Sequence, residues 1–301
     1  MSELNFAKYH GTGNDFVMLV DMEDRFRPPG PLVSAVCDRR FGVGADGLIR
    51  VTGPQGAAAA GLGDQAGAAV FFMDYYNADG APAEMCGNGI RCLAKLVYER
   101  GLTRDTELDV ATRGGLKRVW FEPQGGLVRR VTVDMGAPAF RRGEIPMEGP
   151  PDETFLTEQI DHDGMSFKAS ALSMGNPHLV LFVDRDPAAM DVATIGPALE
   201  HDPRFPNRTN VEFVAPAEDG VKARVWERGV GETMACGTGA CASAVAAHLA
   251  GLVPRRSRVN FPGGTLDLDW REEGPVFMTG PAERVYEGTL DPDGLLEARP
   301  R

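Results

Sequence analysis

A cysteine followed by Gly-x-Gly occurs twice in this chain, at Cys86-Gly87-Asn88-Gly89 and at Cys236-Gly237-Thr238-Gly239, half the chain apart. Each copy leads into a segment with helical character. After the first, Ile90, Leu93, Ala94, Val97 and Tyr98 recur at helical spacing. After the second, residues 238–250 are small and apolar all round, the pattern of a helix buried on every side. Repetition across half the chain is what duplicated domains produce. The first turn of a helix has unpaired backbone N–H groups and a partial positive charge, so a thiol placed there ionises more readily. The glycines let those N–H groups close on an anion such as a carboxylate. Two such helix ends facing one another would hold a carboxylate with a thiol on either side of the adjacent carbon. One thiolate then removes that carbon's proton while the opposite thiol supplies one to the other face, which inverts a stereocentre.

Competing uses of the cysteines fit less well. Neither copy has the Cys-x-x-Cys spacing of structural zinc sites or dithiol redox sites, and no metal is expected. Cys37, Cys92 and Cys241 read as buried thiols. The segment Gly42-Val43-Gly44-Ala45-Asp46-Gly47 matches the dinucleotide fingerprint letter for letter. That motif should follow a strand and open a helix. Here it follows Cys37-Asp38-Arg39-Arg40-Phe41 and leads into strand-like Leu48-Ile49-Arg50-Val51, so no nicotinamide cofactor is expected.

The elements that must position these cysteines alternate between strands and two long helices. Strands are expected at residues 5–10, 16–20, 48–51, 69–76, 108–111, 116–121 and 128–133, and again at 167–172, 178–183, 209–214 and 222–226. Residues 32–37 have short helical character. The Gly/Ala-rich stretch 52–67 reads as a mobile hairpin tip. Many strands around one buried helix, twice over, is an α+β architecture. At 301 residues the chain suits two domains of roughly 150 residues each. The turn-rich stretch 122–126 is the candidate junction, or else a plain hairpin turn.

Composition narrows the setting. The net charge of −12 disfavours nucleic acid and anionic membranes as partners, since both are bound through clustered Lys and Arg. The N-terminus lacks the basic start and apolar core of a signal peptide, and no apolar run approaches the roughly 18–20 residues that span a bilayer. Five cysteines, an odd number, suit reduced thiols in a reducing compartment, so a cytoplasmic protein is expected.

Several separated segments, in order, resemble the diaminopimelate epimerases over nearly the whole chain. They are Lys8-Tyr9-His10-Gly11-Thr12-Gly13-Asn14-Asp15-Phe16; Asn77-Ala78-Asp79-Gly80 with Glu84-Met85-Cys86-Gly87-Asn88-Gly89; Gly175-Asn176-Pro177-His178; Arg208-Thr209-Asn210-Val211; and Trp226-Glu227-Arg228-Gly229 through Ala235-Cys236-Gly237-Thr238-Gly239. The resemblance implies two similar domains, each a mostly antiparallel sheet wrapped round a central buried helix, with the active site in the interdomain cleft. It implies a last strand near residues 276–285 that returns to the first domain, giving domains of 1–126 plus about 277–301 and of 127–276.

The resemblance also implies epimerisation of L,L-diaminopimelate to the meso form, in lysine and peptidoglycan precursor synthesis, without a cofactor. No motif for a Schiff-base lysine is present to suggest otherwise. Cys86 and Cys236 would be the acid and base. Gly87, Asn88, Gly237 and Thr238 would hold the reacting carboxylate. Asn14, Asn77, Asn176, Asn210 and Arg228 would recognise the distal end of the substrate, Arg228 through its carboxylate. Glu227 would take the distal ammonium and, with His178, poise one of the thiols. A homodimer is implied as well. The chain departs from the family at Gly47, where some members carry a Gln that approaches the substrate, and no side-chain role is carried over there. Residues 52–67 are longer than expected, and the tail beyond Tyr286 holds no motif. Proline racemases and hydroxyproline epimerases share the general pattern but typically carry His where this chain has Asn88. Non-catalytic or isomerase-like relatives usually lack one or both cysteines.

Overall fold

The computed structural model describes residues 3–272 and 274–297. It divides into two compact units, Met1–Val133 with Gly280–Arg301, and Asp134–Thr279. The first unit contains β1 (Leu4–Gly11), β2 (Asn14–Val20), β3 (Gly47–Thr52), β4 (Phe71–Asn77), β5 (Glu107–Thr112), β6 (Gly115–Trp120) and β7 (Arg130–Asp134). The second contains β8 (Phe155–His162), β9 (Met165–Ser173), β10 (Pro177–Phe182), β11 (Asn210–Ala217), β12 (Gly220–Glu227), β13 (Gly231–Thr233), β14 (Arg256–Phe261), β15 (Gly264–Trp270) and β16 (Val276–Pro281). The chain then returns to the first unit as β17 (Glu283–Leu290), antiparallel to β1 with Leu4 opposite Leu290. Residues 298–301 of the returning tail lie outside the described residues.

The duplication is explicit in the strand pairing. From β17 through β1–β7 the pairs run antiparallel, antiparallel, parallel, antiparallel, parallel, antiparallel, antiparallel. From β8 through β9, β10, β11, β12, β14, β15 and β16 the same series recurs. The short β13 hooks onto β12.

The helices are α1 (Gly30–Cys37), α2 (Pro54–Ala59), α3 (Gly63–Ala66), α4 (Gly87–Glu99), α5 (Val192–Glu200), α6 (Gly237–Leu249) and α7 (Pro292–Glu297). In the first unit α4 packs against β1, β2 and β17; in the second α6 packs against β9, β10, β11, β12, β14 and β15. Every residue of α4 from Gly87 to Val97 is buried. Its two buried cations are tethered: Arg91 donates to the Gly87 and Pro281 carbonyls, and Lys95 to Glu99 and the Val128 carbonyl. α6 avoids that demand because its buried residues are nearly all Ala, Gly, Val and Cys.

A second apolar layer covers the outer face of each sheet. Leu32, Val33 and Val36 of α1 pack with Val17, Leu19 and Leu48, and Ile195 and Leu199 of α5 pack with Leu179, Leu181 and Phe213. Strands covered on both faces lose the alternation of half-buried strands, as in β3, where every residue is buried.

Residues 52–67 form α2 and α3 rather than a hairpin tip. Alanine is the strongest helix former, and here Ala57, with Ala60, Leu62 and Ala66, packs onto Phe72, Ala69 and Ala111. The stretch 122–126 is a tight turn bridged between Gln124 and Leu127, and the chain runs on in the first unit to Val133. Among the described residues no helix is long and apolar enough to cross a membrane, and no group of three or more His, Cys, Asp or Glu side chains is placed to hold a metal.

Candidate active site

Cys86 and Cys236 occupy the same structural position in the two units. Each is the N-cap of the central helix, with φ/ψ of −135/119° and −122/126° respectively. Neither helix has an acidic residue in its first turn, so no side chain of the turn itself offsets the positive end. The second glycine of each motif is a site of close approach. A Cβ on Gly89 would lie 2.5 Å from Ile49 Cδ1, and one on Gly239 would lie 2.7 Å from Glu212 Oε1 and 3.2 Å from Cys236 Cβ.

In the first unit the sequence-predicted residues Asn14, Gly87 and Asn88 gather around Cys86. The Asn14 amide oxygen accepts from Asn88 Nδ2 at 3.2 Å and lies 3.4 Å from the Cys86 sulfur. Asn88 is buried, and its own oxygen accepts from Arg91 at 2.8 Å and from Thr12 Oγ1 at 3.2 Å. Asn77 ends β4, opposite Gly47 of β3, and its backbone closes the turn to Gly80 and Ala81.

In the second unit Asn176, His178, Glu227, Gly237 and Thr238 gather around Cys236. Asn176 Nδ2 donates to Thr238 Oγ1 at 3.3 Å, and that oxygen lies 3.5 Å from the Cys236 sulfur. The Asn176 oxygen faces His178 Nε2 at 3.0 Å, and His178 Nδ1 meets Glu212 Oε1 at 2.6 Å, with both side chains wholly buried. Burial pushes the Glu212 carboxyl above the usual carboxylate range, against the pull of His178. Glu227 accepts from the Thr233 hydroxyl and is close enough to Cys236 for the two groups to influence each other's charge. Burial raises its carboxyl too, opposed by the Thr233 hydroxyl and by Cys236. Burial and the neighbouring Glu227 charge push the Cys236 thiol well above its ordinary value, while the Thr238 hydroxyl and the Gly239 N–H pull the other way.

Asn210 and Arg228 form a separate contact pair. The Asn210 oxygen accepts from the Arg228 N–H at 2.9 Å and its Nδ2 donates to the Pro177 carbonyl at 2.8 Å. The Arg228 guanidinium is exposed and donates to the Asn207 carbonyl at 3.3 Å. Among the described residues it has no carboxylate partner.

Residues that the sequence reading passed over complete both sites. Asp46 accepts from Asn14, Glu212 anchors His178, and Glu200 holds the turn after β12 by accepting from Trp226 Nε1 at 2.7 Å and from the Gly229 N–H at 2.9 Å. Glu212 carried a usable signal: a carboxylate between Val211 and Phe213 in an otherwise apolar strand has to be buried with a partner.

Two units of one pairing order, each with a cysteine capping its central helix, place the chain in a known α+β fold. It resembles the hydroxyproline epimerase from Agrobacterium vitis (TM-score 0.66, 15% identity, 96% of this chain and 91% of that one). It also resembles a phenazine biosynthesis protein of the PhzF family from Bacillus anthracis (TM-score 0.64, 15% identity, 96% and 99%). Within that fold the sequence is more specific. The diaminopimelate epimerase family model matches residues 6–141 and 170–285. Diaminopimelate epimerases from Pelotomaculum thermopropionicum (45% identity, 95% of this chain, 98% of the relative) and Desulforudis audaxviator (47%, 95% and 98%) align along almost their full length. The chain belongs to the diaminopimelate epimerase family.

Proposed function

We propose that this chain interconverts L,L- and meso-diaminopimelate, with Cys86 and Cys236 as a paired acid and base and no organic cofactor. The observation that carries the proposal is the duplicated placement of a thiol at the N-cap of each central helix, in a member of this family. One sulfur takes the α-proton as the C–H bond breaks. The electron pair left on carbon is stabilised by N–H groups of the helix starts directed at the carboxylate. The other sulfur's S–H bond breaks and its proton goes to the opposite face of the carbon, so the two cysteines exchange protonation states in each turnover.

Gly87, Asn88, Gly237 and Thr238 hold the reacting carboxylate in this scheme. Asn14, Asn77, Asn176, Asn210 and Arg228 hold the distal end, with Glu227 on the distal ammonium. The nearness of Glu227 to Cys236 supports a further role for it in poising that thiol with His178: its charge adds to burial in favouring the S–H form. The enzyme works in the cytoplasm, as a homodimer, on this small-molecule substrate.

The test is incubation of the reduced protein with L,L-diaminopimelate in D₂O without pyridoxal phosphate. The expected result is deuterium at the inverted carbon of early meso product and none in recovered substrate. Solvent exchange with proline or hydroxyproline instead, or no exchange by protein with free thiols, refutes the assignment.

A further inference from the structure

The glycine-rich turn 42–47, whose spacing imitates a dinucleotide motif, has a packing reason for its glycines. A Cβ on Gly42 would lie 2.1 Å from the Ala35 carbonyl oxygen, and Gly44 holds φ at +79°. The turn delivers Asp46 to the start of β2. Asp46 Oδ2 accepts from Asn14 Nδ2 at 2.7 Å and from the Asp15 N–H at 3.1 Å, while Oδ1 accepts from Arg39 at 2.7 Å. The Asp46 N–H donates back to Asp15, so the two aspartates clasp each other through their backbones.

A carboxylate offers lone pairs and no hydrogen. Asn14 must therefore turn its NH₂ toward Asp46, since the reverse orientation would set two oxygens 2.7 Å apart with no hydrogen between them. The amide oxygen is left facing Asn88 and the Cys86 sulfur, at 3.2 and 3.4 Å. We infer that Asp46 is a positioning residue for the reaction: through Asn14 it presents a hydrogen-bond acceptor, and not a donor, to Cys86. An acceptor stabilises S–H over the thiolate, so this contact raises the thiolate midpoint of Cys86. This step rests on the two-thiol reading proposed above.

The duplicated half makes the point by contrast. Asn176 stands just ahead of β10, as Asn14 opens β2, but its amide is turned the other way. Its NH₂ faces Thr238 beside Cys236, and its oxygen faces His178 Nε2, which donates in this arrangement. An acceptor backs one amide and a donor backs the other. The two copies of one fold thereby turn opposite ends of an amide toward their helix starts, while at Cys236 burial and the Glu227 charge separately raise the thiol. Besides Asp46, the charged groups that the hydrogen bonds tie to this network are Arg91, which holds Asn88, and Asp15 with its partners Lys8 and Arg39. All are retained in the variants below.

The test is peptide-resolved alkylation of Cys86 against pH, on the full chain without substrate. Asp46→Asn frees the Asn14 amide to reverse, and the thiolate midpoint of Cys86 falls by about one pH unit, a tenfold gain in thiolate below the midpoint. The exchanged pair Asn14→Asp with Asp46→Asn again sets an oxygen against the sulfur, and returns the midpoint to at least its starting value. Asn14→Asp sets a negative charge beside the sulfur and so raises the midpoint by itself; the deciding variant is Asp46→Asn alone. An unchanged midpoint in Asp46→Asn, with Cys37 and Cys92 still protected, overturns the proposal. If that variant exposes the buried thiols, neutron diffraction of the deuterated, unsubstituted protein decides. Asn14 deuterons facing Asp46 sustain the inference, and deuterons facing Cys86 overturn it. None of these readouts needs turnover, so they fail or hold separately from the diaminopimelate assay.

Discussion

Gly239→Ala adds one methyl group to the second turn-forming glycine of the Cys236 motif, and the structure predicts a loss of both stability and turnover. Alanine in place of glycine in a helix interior gains about 1 kcal/mol of propensity. The new Cβ would lie 2.7 Å from Glu212 Oε1 and 3.2 Å from Cys236 Cβ. Glu212 has no room to retreat: it is wholly buried, and the same oxygen is held by His178 at 2.6 Å. Forcing a methylene-sized group into a packed interior costs about 1–3 kcal/mol, and loosening a charge-assisted hydrogen bond adds about 1.5–3 kcal/mol. The clash outweighs the propensity gain by about 1.5–5 kcal/mol, which lowers a urea midpoint by roughly 0.5–2 M. Displacing Cys236 by a few tenths of an ångström should also cut kcat/KM at least about tenfold. The control is Gly63→Ala at the start of α3, where an added Cβ meets nothing within 4 Å; there the expected change is neutral to about 1 kcal/mol stabilising. Urea titrations of both variants, with epimerase assays alongside, make the comparison. A Gly239→Ala protein with unchanged midpoint and turnover would refute the close-packed contact between α6, Glu212 and Cys236.

Replacing either Cys86 or Cys236 by Ala should lower turnover in both directions by about a hundred- to ten-thousand-fold, and near-normal rates from either variant in a stereochemical assay would rule out the two-thiol scheme. Asp15 is subject to burial, which alone would raise its carboxyl, but hydrogen bonds from Arg39 and Lys8 hold it down at about 2. A depressed carboxylate stabilises the fold above its unfolded pKa of about 4 and loses that contribution as pH falls through the folded value. Asp15→Asn should therefore cost about 2 kcal/mol at pH 7 and almost nothing near pH 2, and equal losses at both pH values in chemical denaturation would contradict this. Arg50, 1% exposed, binds Asp74, Asp21, Asp24 and the Phe26 carbonyl. Arg50→Met leaves a buried carboxylate short of its cation and should destabilise the first unit by about 3–5 kcal/mol; a thermal midpoint within a degree of the unsubstituted protein would show the network to be dispensable.

Local signals carried most of what was legible in the sequence. The two helices begin one residue after Cys86 and Cys236 because glycine-rich starts, apolar spacing and a closing glycine are all written within a few positions of each other. Strands β1 to β4 followed from runs of β-branched and aromatic residues. Where local preference and tertiary demand diverged, the reading failed. Residues 52–67 looked like a loose tip, yet their alanines find Phe72 to pack against. The helix α5 went unread because Gly196 and Pro197 lie inside it, and Gly196 is there to admit Trp226: a Cβ would sit 2.6 Å from Trp226 Cγ.

By itself the sequence determined the duplicated plan, the two cysteines and the helix starts they cap, since each depends on neighbours in the chain and on a motif seen twice. Only the tertiary structure decided which side chains stand behind them. Asp46 reaches Asn14 across the parallel β2–β3 pair, and Glu212 reaches His178 across the β10–β11 pair. Register, turn geometry and the choice of neighbouring strand bring those partners together over more than thirty residues. A hydrogen bond acts over about 3 Å, so no spacing along the chain could reveal that one amide is backed by a carboxylate and its duplicate by an imidazole.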